Sequence, residues 1–213
     1  HKIASNYGKS YYPSDYSPNA GWADYYGNED FFKAYPNDDR KEWNYMTEWK
    51  IKSGEIIPYT ESADKLPAIS KYYDYDEGAH GKSAQSNGIT CIYRYAEVLL
   101  MYAEASTRAT NSVNQDALNA IQEVQKRAGY QNRQIELTTT TEPAAFLTAV
   151  SNERGWEFFA EMKRWFELVR LEKVKEVRAE EWDASTFNTN HHYYFPVPYQ
   201  QVDLAGWTNN AGY

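Results

Sequence analysis

Three helical stretches joined by polar links fill the run from Ile92 to Leu171, and they limit what this chain can become more than any other feature. They read IYRYAEVLLMYAEAS, DALNAIQEVQKRAG and FLTAVSNERGWEFFAEMKRWFELVRL. In the first, Tyr95, Val98, Leu99 and Tyr102 recur at the three-and-four spacing of one helix face, with Ala96, Ala103 and Ala105 keeping backbones close. Leu118, Ile121 and Val124 repeat the pattern, and Arg127-Ala128-Gly129 ends that stretch with a cation and a C-cap glycine. Phe146, Val150, Trp156, Phe159, Trp165, Phe166 and Leu168 supply the bulkiest apolar surface of the third. The spacing predicts a mostly α fold whose first two helices form one tetratricopeptide-like pair. Such a pair cannot bury its own face and needs neighbours, from the third stretch or from sequence upstream.

The rest of the chain is different in kind. Residues 1–36 hold Pro13, Pro18, Pro36, Gly8, Gly21 and Gly27 without a helical or strand period, which predicts a long surface loop. Its Tyr, Trp and Phe residues argue against disorder, and a loop of that length in a compact domain is usually functional. Trp43, Tyr45, Thr47 and Trp49 alternate with polar neighbours and predict a short strand with an aromatic face. Ser53-Gly54 then turns it into a β-hairpin with Glu55–Tyr59. Asn111 or Ser112 is the expected cap of the second helix and Thr141 of the third, with Pro143 in its first turn. Arg94 with Glu97 and Glu104 with Arg108 are spaced to pair on an exposed face. After Leu171 the charges thicken into a solvated helix end. Pro196 and Pro198 make the last stretch extended, with Tyr194, Phe195 and Val197 expected to tack it back. The expected organisation is a loop-rich region over 1–90, a helical scaffold over 91–172 and a C-terminal tail over 173–213.

Charge excludes one class of function. With 22 Lys and Arg against 30 Asp and Glu, the net charge is −8, and the basic residues are scattered among glutamates, so no nucleic-acid footprint exists. No apolar run of eighteen residues exists to span a membrane. Cys91, the single cysteine, reads as a small buried hydrophobe and forms no internal disulfide. The adjacent pair His191 and His192 would point to opposite faces of an extended strand, so a zinc site is not expected. Asp74, Asp76 and Glu77 are close enough to suggest calcium, but they lack the full acidic ladder of a calcium loop, and a solvated turn fits better. No cofactor is expected. The first residue is His1, which marks a processed or partial chain.

Taken in order, IYRYAEVLLMYAEAS, ALNAIQEVQKRAG, NERGWEFFAEMKRWFELVRL and YYFPVPYQQVD with TNNAGY resemble the C-terminal region of the SusD/RagB family, surface lipoproteins of the Bacteroidetes outer membrane. The NDDR segment at 37–40 resembles that family's loop motif upstream of the helices. Gly155 stands where the family motif usually has a second arginine, and Met162 where it has a glycine; both changes touch helix packing. The resemblance implies a binding protein without bond chemistry, and a SusD-like C-terminal portion whose lipid anchor lies on an N-terminal part. Such a protein caps a SusC-like TonB-dependent transporter, captures oligosaccharides (peptides in some branches) and passes them into the barrel.

Tyrosine (20) and tryptophan (7) supply most of the aromatic content, and exposed rings in loops suit the flat, weakly polar faces of sugars. The stretch GWADYYGN sets Trp22, Tyr25, Tyr26 and Asp24 between two glycines with Asn28 just beyond, which makes these the expected ligand contacts. Tyr11, Tyr12 and Trp43 come second. Loop aromatics also serve as a loop's own core. Glu153, Glu157 and Glu161 beside Arg154 and Arg164 invite a catalytic reading, but ions among Trp and Phe on one helix are expected to pair and fix helix to helix. A glycoside hydrolase would need two acids facing each other across a sugar, and Asp38/Asp39 or Asp74/Asp76 are too close in sequence for that. A helical-repeat adaptor is the other rival.

Overall fold

The computed structural model describes residues 7–17, 20–72, 91–129, 136–177 and 187–213. The fold is mostly α, and it divides into two compact units, His1–Met162 and Lys163–Tyr213.

The scaffold of the first unit is α4 (Tyr95–Thr110), α5 (Gln115–Ala128) and α6 (Pro143–Glu157), preceded by three short helices, α1 (Tyr7–Tyr11), α2 (Glu29–Ala34) and α3 (Asp39–Asn44). One core joins the three long helices: Ala96, Leu100 and Ala103 from α4, Ala117, Leu118, Ala120, Ile121 and Val124 from α5, Phe146 and Val150 from α6, then Phe158. Leu118, Ile121, Val124, Phe146 and Val150 lie in it as the pattern predicts, whereas Ala117, Ala120 and Phe158 join them unannounced, and Trp156 and Phe159 are only half-buried and Phe166 is exposed. In α4 the stripe that the periodicity marks is not the buried one: Tyr95, Val98 and Tyr102 are exposed and Leu99 only partly buried. The small residues face inward because an alanine seam lets α5 and α6 approach α4 closely. Burial of Glu97 follows from that rotation, and its carboxylate faces Arg154 at 3.6 Å instead of pairing with Arg94. The Glu104–Arg108 pair forms as expected, at 2.9 Å.

Capping differs in detail. Asn111 ends α4 in the left-handed region at φ 48°, and Asn114, three residues on, accepts from the Ala117 N–H to start α5. Glu142, not Thr141, accepts from the Ala144 and Ala145 N–H groups ahead of Pro143. The third stretch is two helices rather than one. It stops at Glu157, passes through a turn with positive φ at Ala160 (58°) and Met162 (60°), and resumes after Lys163. Side chains bind the carbonyls at that stop: Tyr35 donates to Trp156 O (2.6 Å), Arg94 to Glu157 O (2.7 Å) and Tyr72 to Ala160 O (3.0 Å).

Upstream, the first 36 residues are less irregular than their composition predicts. Asn28 caps α2 through the Phe31 N–H, and Asp38 caps α3 through the Arg40 N–H. Trp43 therefore belongs to a helix, and strand structure starts at Tyr45. β1 (Tyr45–Met46) pairs with β4 (Ala68–Ile69), and β2 (Glu48–Lys50) forms the expected hairpin with β3 (Ile56–Pro58), turning at Gly54 with φ 95°. The expected alternation does not run through: Tyr45 and Trp49 are buried but Thr47 between them is exposed, because β1 and β2 belong to different two-stranded sheets. Cys91 is half-buried rather than buried, with its thiol donating to Tyr93 O.

The second unit carries α7 (Arg164–Arg170), α8 (Val174–Val177), α9 (Thr189–His192) and α10 (Tyr199–Ala205). Its end is thus not a plain extended tail. Only residues 195–198, around the two prolines, stay extended before α10, and Tyr194 and Phe195 are exposed. His191 and His192 lie in a helical turn with their rings stacked at 4.6 Å, not on opposite faces of a strand. Asn188 caps that turn by accepting from the Asn190 N–H. Asp74, Asp76 and Glu77 lie outside the described residues.

Candidate functional site

The stretch Gly21–Gly27 owes its shape to backbone, not side chains. Gly21, Trp22, Ala23, Asp24 and Tyr25 donate their N–H groups in turn to the carbonyls of Pro13, Lys9, Tyr12, Ser10 and again Ser10, at 2.7–3.2 Å. Those acceptors belong to the end of α1 and the residues just after it, and Pro13 O accepts from the Tyr16 N–H as well. The contact is so close that a Cβ on Gly21 would sit 1.8 Å from Tyr12 O. At the other end a Cβ on Gly27 would meet the Tyr45 ring at 2.4 Å, and the Gly27 N–H binds Pro67 O. Glycine is required at both ends because the strip lies flat on its support.

With its backbone spent in this way, the strip presents its side chains outward. Trp22 is 49% exposed and Tyr25 56% exposed. The Lys9 ammonium lies 5.7 Å from the Trp22 ring centre, and Tyr25 leans on the Tyr11 ring at 5.5 Å. Asp24 and Asn28 are exposed, and the Asn28 side-chain oxygen is already used as the α2 cap. Tyr26 is half-buried; burial first, then the Asp64 carboxylate, pushes its phenol well above the usual range. No well-formed hydrogen bond of its hydroxyl is present. Tyr11 and Tyr12 are buried, Tyr11 stacked on Tyr72 at 5.4 Å and Tyr12 against Tyr16 at 5.1 Å, so they act as the loop's own core. Trp43 is 62% exposed but stands on α3, a different element. Lys9 escaped the sequence reading, since nothing in the order of residues sets it beside Trp22.

The same unit holds a lattice of charge. Arg40 of the NDDR segment reaches Asp38 (2.5 Å), Glu153 (2.6 Å) and Glu157 (2.8 Å). Arg94 binds Glu157 and, at 2.8 Å, Glu161, which also holds Lys71 at 2.6 Å. Arg127 adds a further contact to Glu157. Four acids meet four cations. Burial raises Glu153 above the usual carboxylate range despite Arg40, whereas Arg94, Arg127 and Arg40 together hold Glu157 below it against the same burial. Burial likewise lowers Lys71. The acids of the NERGWEFFAEM motif are thus tied to the loop region as well as to other helices. Asp38 is 1% exposed and bonds Arg40 through both carboxylate oxygens, so it is not free to act with Asp39 on a glycosidic bond. Among the described residues no three His, Cys, Asp or Glu side chains gather as a metal site, and no helix is long and apolar enough to cross a membrane.

Comparisons with known proteins bear on this arrangement. The model of the SusD family matches residues 2–213. SusD-like protein P2 of Formosa agariphila is 28% identical over 200 residues, which are 85% of this chain and 39% of that protein. A SusD superfamily protein from Parabacteroides distasonis superposes with a TM-score of 0.78 at 22% identity, over 99% of this chain and 47% of the other. Surface glycan-binding protein A from Bacteroides uniformis gives 0.71 at 23% identity, over 98% and 47%. The chain therefore spans less than half the length of these relatives.

Proposed function

The chain belongs to the SusD family, and from that premise we propose that it forms part of a surface glycan-binding protein whose Trp22–Tyr25 strip stacks on an oligosaccharide. One observation carries the reading. Trp22 and Tyr25 hold exposed rings on a backbone whose N–H groups are already satisfied, so the rings are pre-positioned and little ordering is left for ligand to bring about. Asp24 between them offers an acceptor for sugar hydroxyls. One relative is named for surface glycan binding, which supports the ligand class. Binding rather than catalysis is favoured because the lattice acids are each committed to cations, which leaves no acid–base pair among them to flank a scissile bond. In the cell, we place the whole protein as a lipid-anchored partner of a TonB-dependent outer-membrane transporter, to which it delivers the captured ligand.

The test is calorimetry of the Trp22→Ala protein against a panel of soluble oligosaccharides and peptides. For the ligand that the wild type binds, affinity is expected to fall at least about tenfold, or about 1.4 kcal/mol. The thermal midpoint is expected to stay put, since the ring is half in solvent. Unchanged affinity for every ligand sinks this placement, binding of peptides alone moves the protein to the peptide-capturing branch, and steady release of reducing ends makes it a hydrolase.

A further inference from the structure

Ala23 holds a backbone conformation that alanine seldom adopts. Its φ is 55°, in the left-handed region, which is uncommon for an L-residue other than asparagine or aspartate. Asn111, Ala160, Met162 and Glu172 share that sign of φ, but each lies beside a helix end, where the chain turns. Ala23 stands in a strip without helix and carries no polar group to bind its own backbone. Gly21 and Gly27 bound that strip, yet neither has a positive φ and neither lies between its two exposed rings.

The consequence is visible on both sides of the backbone. In an extended chain successive residues face opposite ways, so side chains three apart lie on opposite faces. Here the N–H groups of Gly21, Trp22, Ala23, Asp24 and Tyr25 all turn to one segment, residues 9–13, and those of Asp24 and Tyr25 share the Ser10 carbonyl. Successive N–H groups converge in this way where a left-handed residue interrupts the run. Trp22 and Tyr25, three apart, are both exposed, and so is Asp24 between them. The strip thus has a backbone side and a side-chain side, and Ala23 is where the alternation breaks. The geometry points to Ala23 as the positioning residue of the proposed ligand site: its left-handed backbone sets Trp22 and Tyr25 on one side of the strip, where a single ligand can meet both. For the class of that ligand the inference rests on the glycan reading; the placement of the rings stands apart from it.

A series at position 23 tests it, because tolerance of the left-handed region and side-chain size can be varied separately. Glycine and asparagine enter that region readily, whereas valine, close to asparagine in size, is an outlier there. The first measurement needs no ligand: hydroxyl-radical labelling, with oxidation resolved residue by residue by mass spectrometry. Ala23→Gly and Ala23→Asn are expected to label Trp22 and Tyr25 within about twofold of wild type, and Ala23→Val to lose roughly fivefold at one of the two rings as alternation returns. The second is calorimetry against a panel of soluble oligosaccharides. Affinity is expected to stay within about twofold in Ala23→Gly and Ala23→Asn and to fall about tenfold in Ala23→Val. Wild-type labelling of both rings in Ala23→Val overturns the inference. So does a loss in Ala23→Asn equal to that in Ala23→Val, which traces the effect to bulk. Lost labelling with unchanged affinity overturns it too, since the rings are then placed for no ligand. If the wild type binds no oligosaccharide while the labelling series holds, the positioning by Ala23 is supported and the glycan reading alone fails. Should Ala23→Val fail to fold, Ala23→Thr brings the same branch with a hydroxyl that nearby backbone groups can bind, and reads the same preference.

Discussion

The charge lattice around Glu157 and the aromatic strip around Trp22 spend their residues in opposite ways. The lattice draws groups rich in chemistry into the interior and uses each of them up: Glu157 alone takes Arg40, Arg94 and Arg127, and its side chain is fully buried. The strip uses up its backbone instead and leaves its side chains outside. A ligand needs groups with something left to offer. Under the proposed glycan reading, two rings in a glycine-bounded loop are therefore the better candidates, ahead of acid and base residues on one helix. The lattice still serves the strip indirectly. It locks residues 38–72 to the end of α6, and Gly27, which closes the strip, rests on Tyr45 and Pro67 within that locked segment.

The contrast breaks most visibly if the lattice is weakened. Glu157→Gln leaves three guanidinium groups around one neutral amide, and loss of one partner from a buried ionic group costs about 3–5 kcal/mol. Urea unfolding is expected to register a loss of that size; a change under about 1 kcal/mol would mean that the lattice is decorative. The pH profile sharpens the point. Because Glu157 is held below its ordinary value in the fold, the unfolded chain binds its proton more readily. Its stabilisation is complete above about pH 4.3 and fades as pH falls from there through the lower folded value. Glu153, raised by burial, acts in the opposite sense: it takes up its proton in the folded protein at a higher pH than when unfolded, which offsets part of that loss. In Glu157→Gln the acid-side decline attributable to Glu157 is expected to disappear, and the opposing Glu153 contribution to shrink, because the Glu157 charge is one of the causes that raise Glu153.

Gly21→Ala comes next in size and couples the two regions' properties. The new methyl would lie 1.8 Å from Tyr12 O, so the strip must lift from α1. A loss of about 1–3 kcal/mol is expected in thermal unfolding, together with weaker ligand binding, because Trp22 and Tyr25 move with the backbone. Trp22→Ala, in contrast, is expected to weaken binding alone. If Gly21→Ala lowers stability and leaves affinity untouched, the ligand is held elsewhere.

How much of this was legible in the sequence depends on range. The three helices, the hairpin turn and the large residues of the α5 core face follow from local periodicity. The face of α4 was misread because Tyr95, Val98 and Tyr102 outweigh Ala96 and Ala103 in any count of apolar bulk, whereas close packing selects the small residues. The break after Glu157 was invisible because its causes, Tyr35, Tyr72 and Arg94, lie between 63 and 121 positions away along the chain. Arg40 to Glu157, at a separation of 117, is the same kind of fact. For the strip, the glycines announced a turn, but only the tertiary contact with Tyr12 shows why no other residue fits. Tyr11 and Tyr25 are alike in sequence context, yet one is buried and one exposed, a distinction that composition cannot draw.

The smallest expected effect isolates what one charge contributes to the strip. Lys9 lies over one face of Trp22, and a cation at that distance from an exposed indole contributes about 0.5–1 kcal/mol. Lys9→Met keeps the length and apolar body of the side chain and removes the charge. Thermal stability is expected to change by no more than about 0.5 kcal/mol, because residue 9 holds the strip through its backbone carbonyl, which the substitution leaves in place. Ligand affinity is expected to fall by about two- to fivefold if the cation keeps the indole face-on for the sugar. A gain in affinity would mean the reverse, that the ammonium occupies the face the ligand needs and must be displaced on binding. Raised salt separates the two cases: screening weakens an exposed cation–π contact, so salt should lower the wild-type affinity in the first case and raise it in the second, with little effect on Lys9→Met in either.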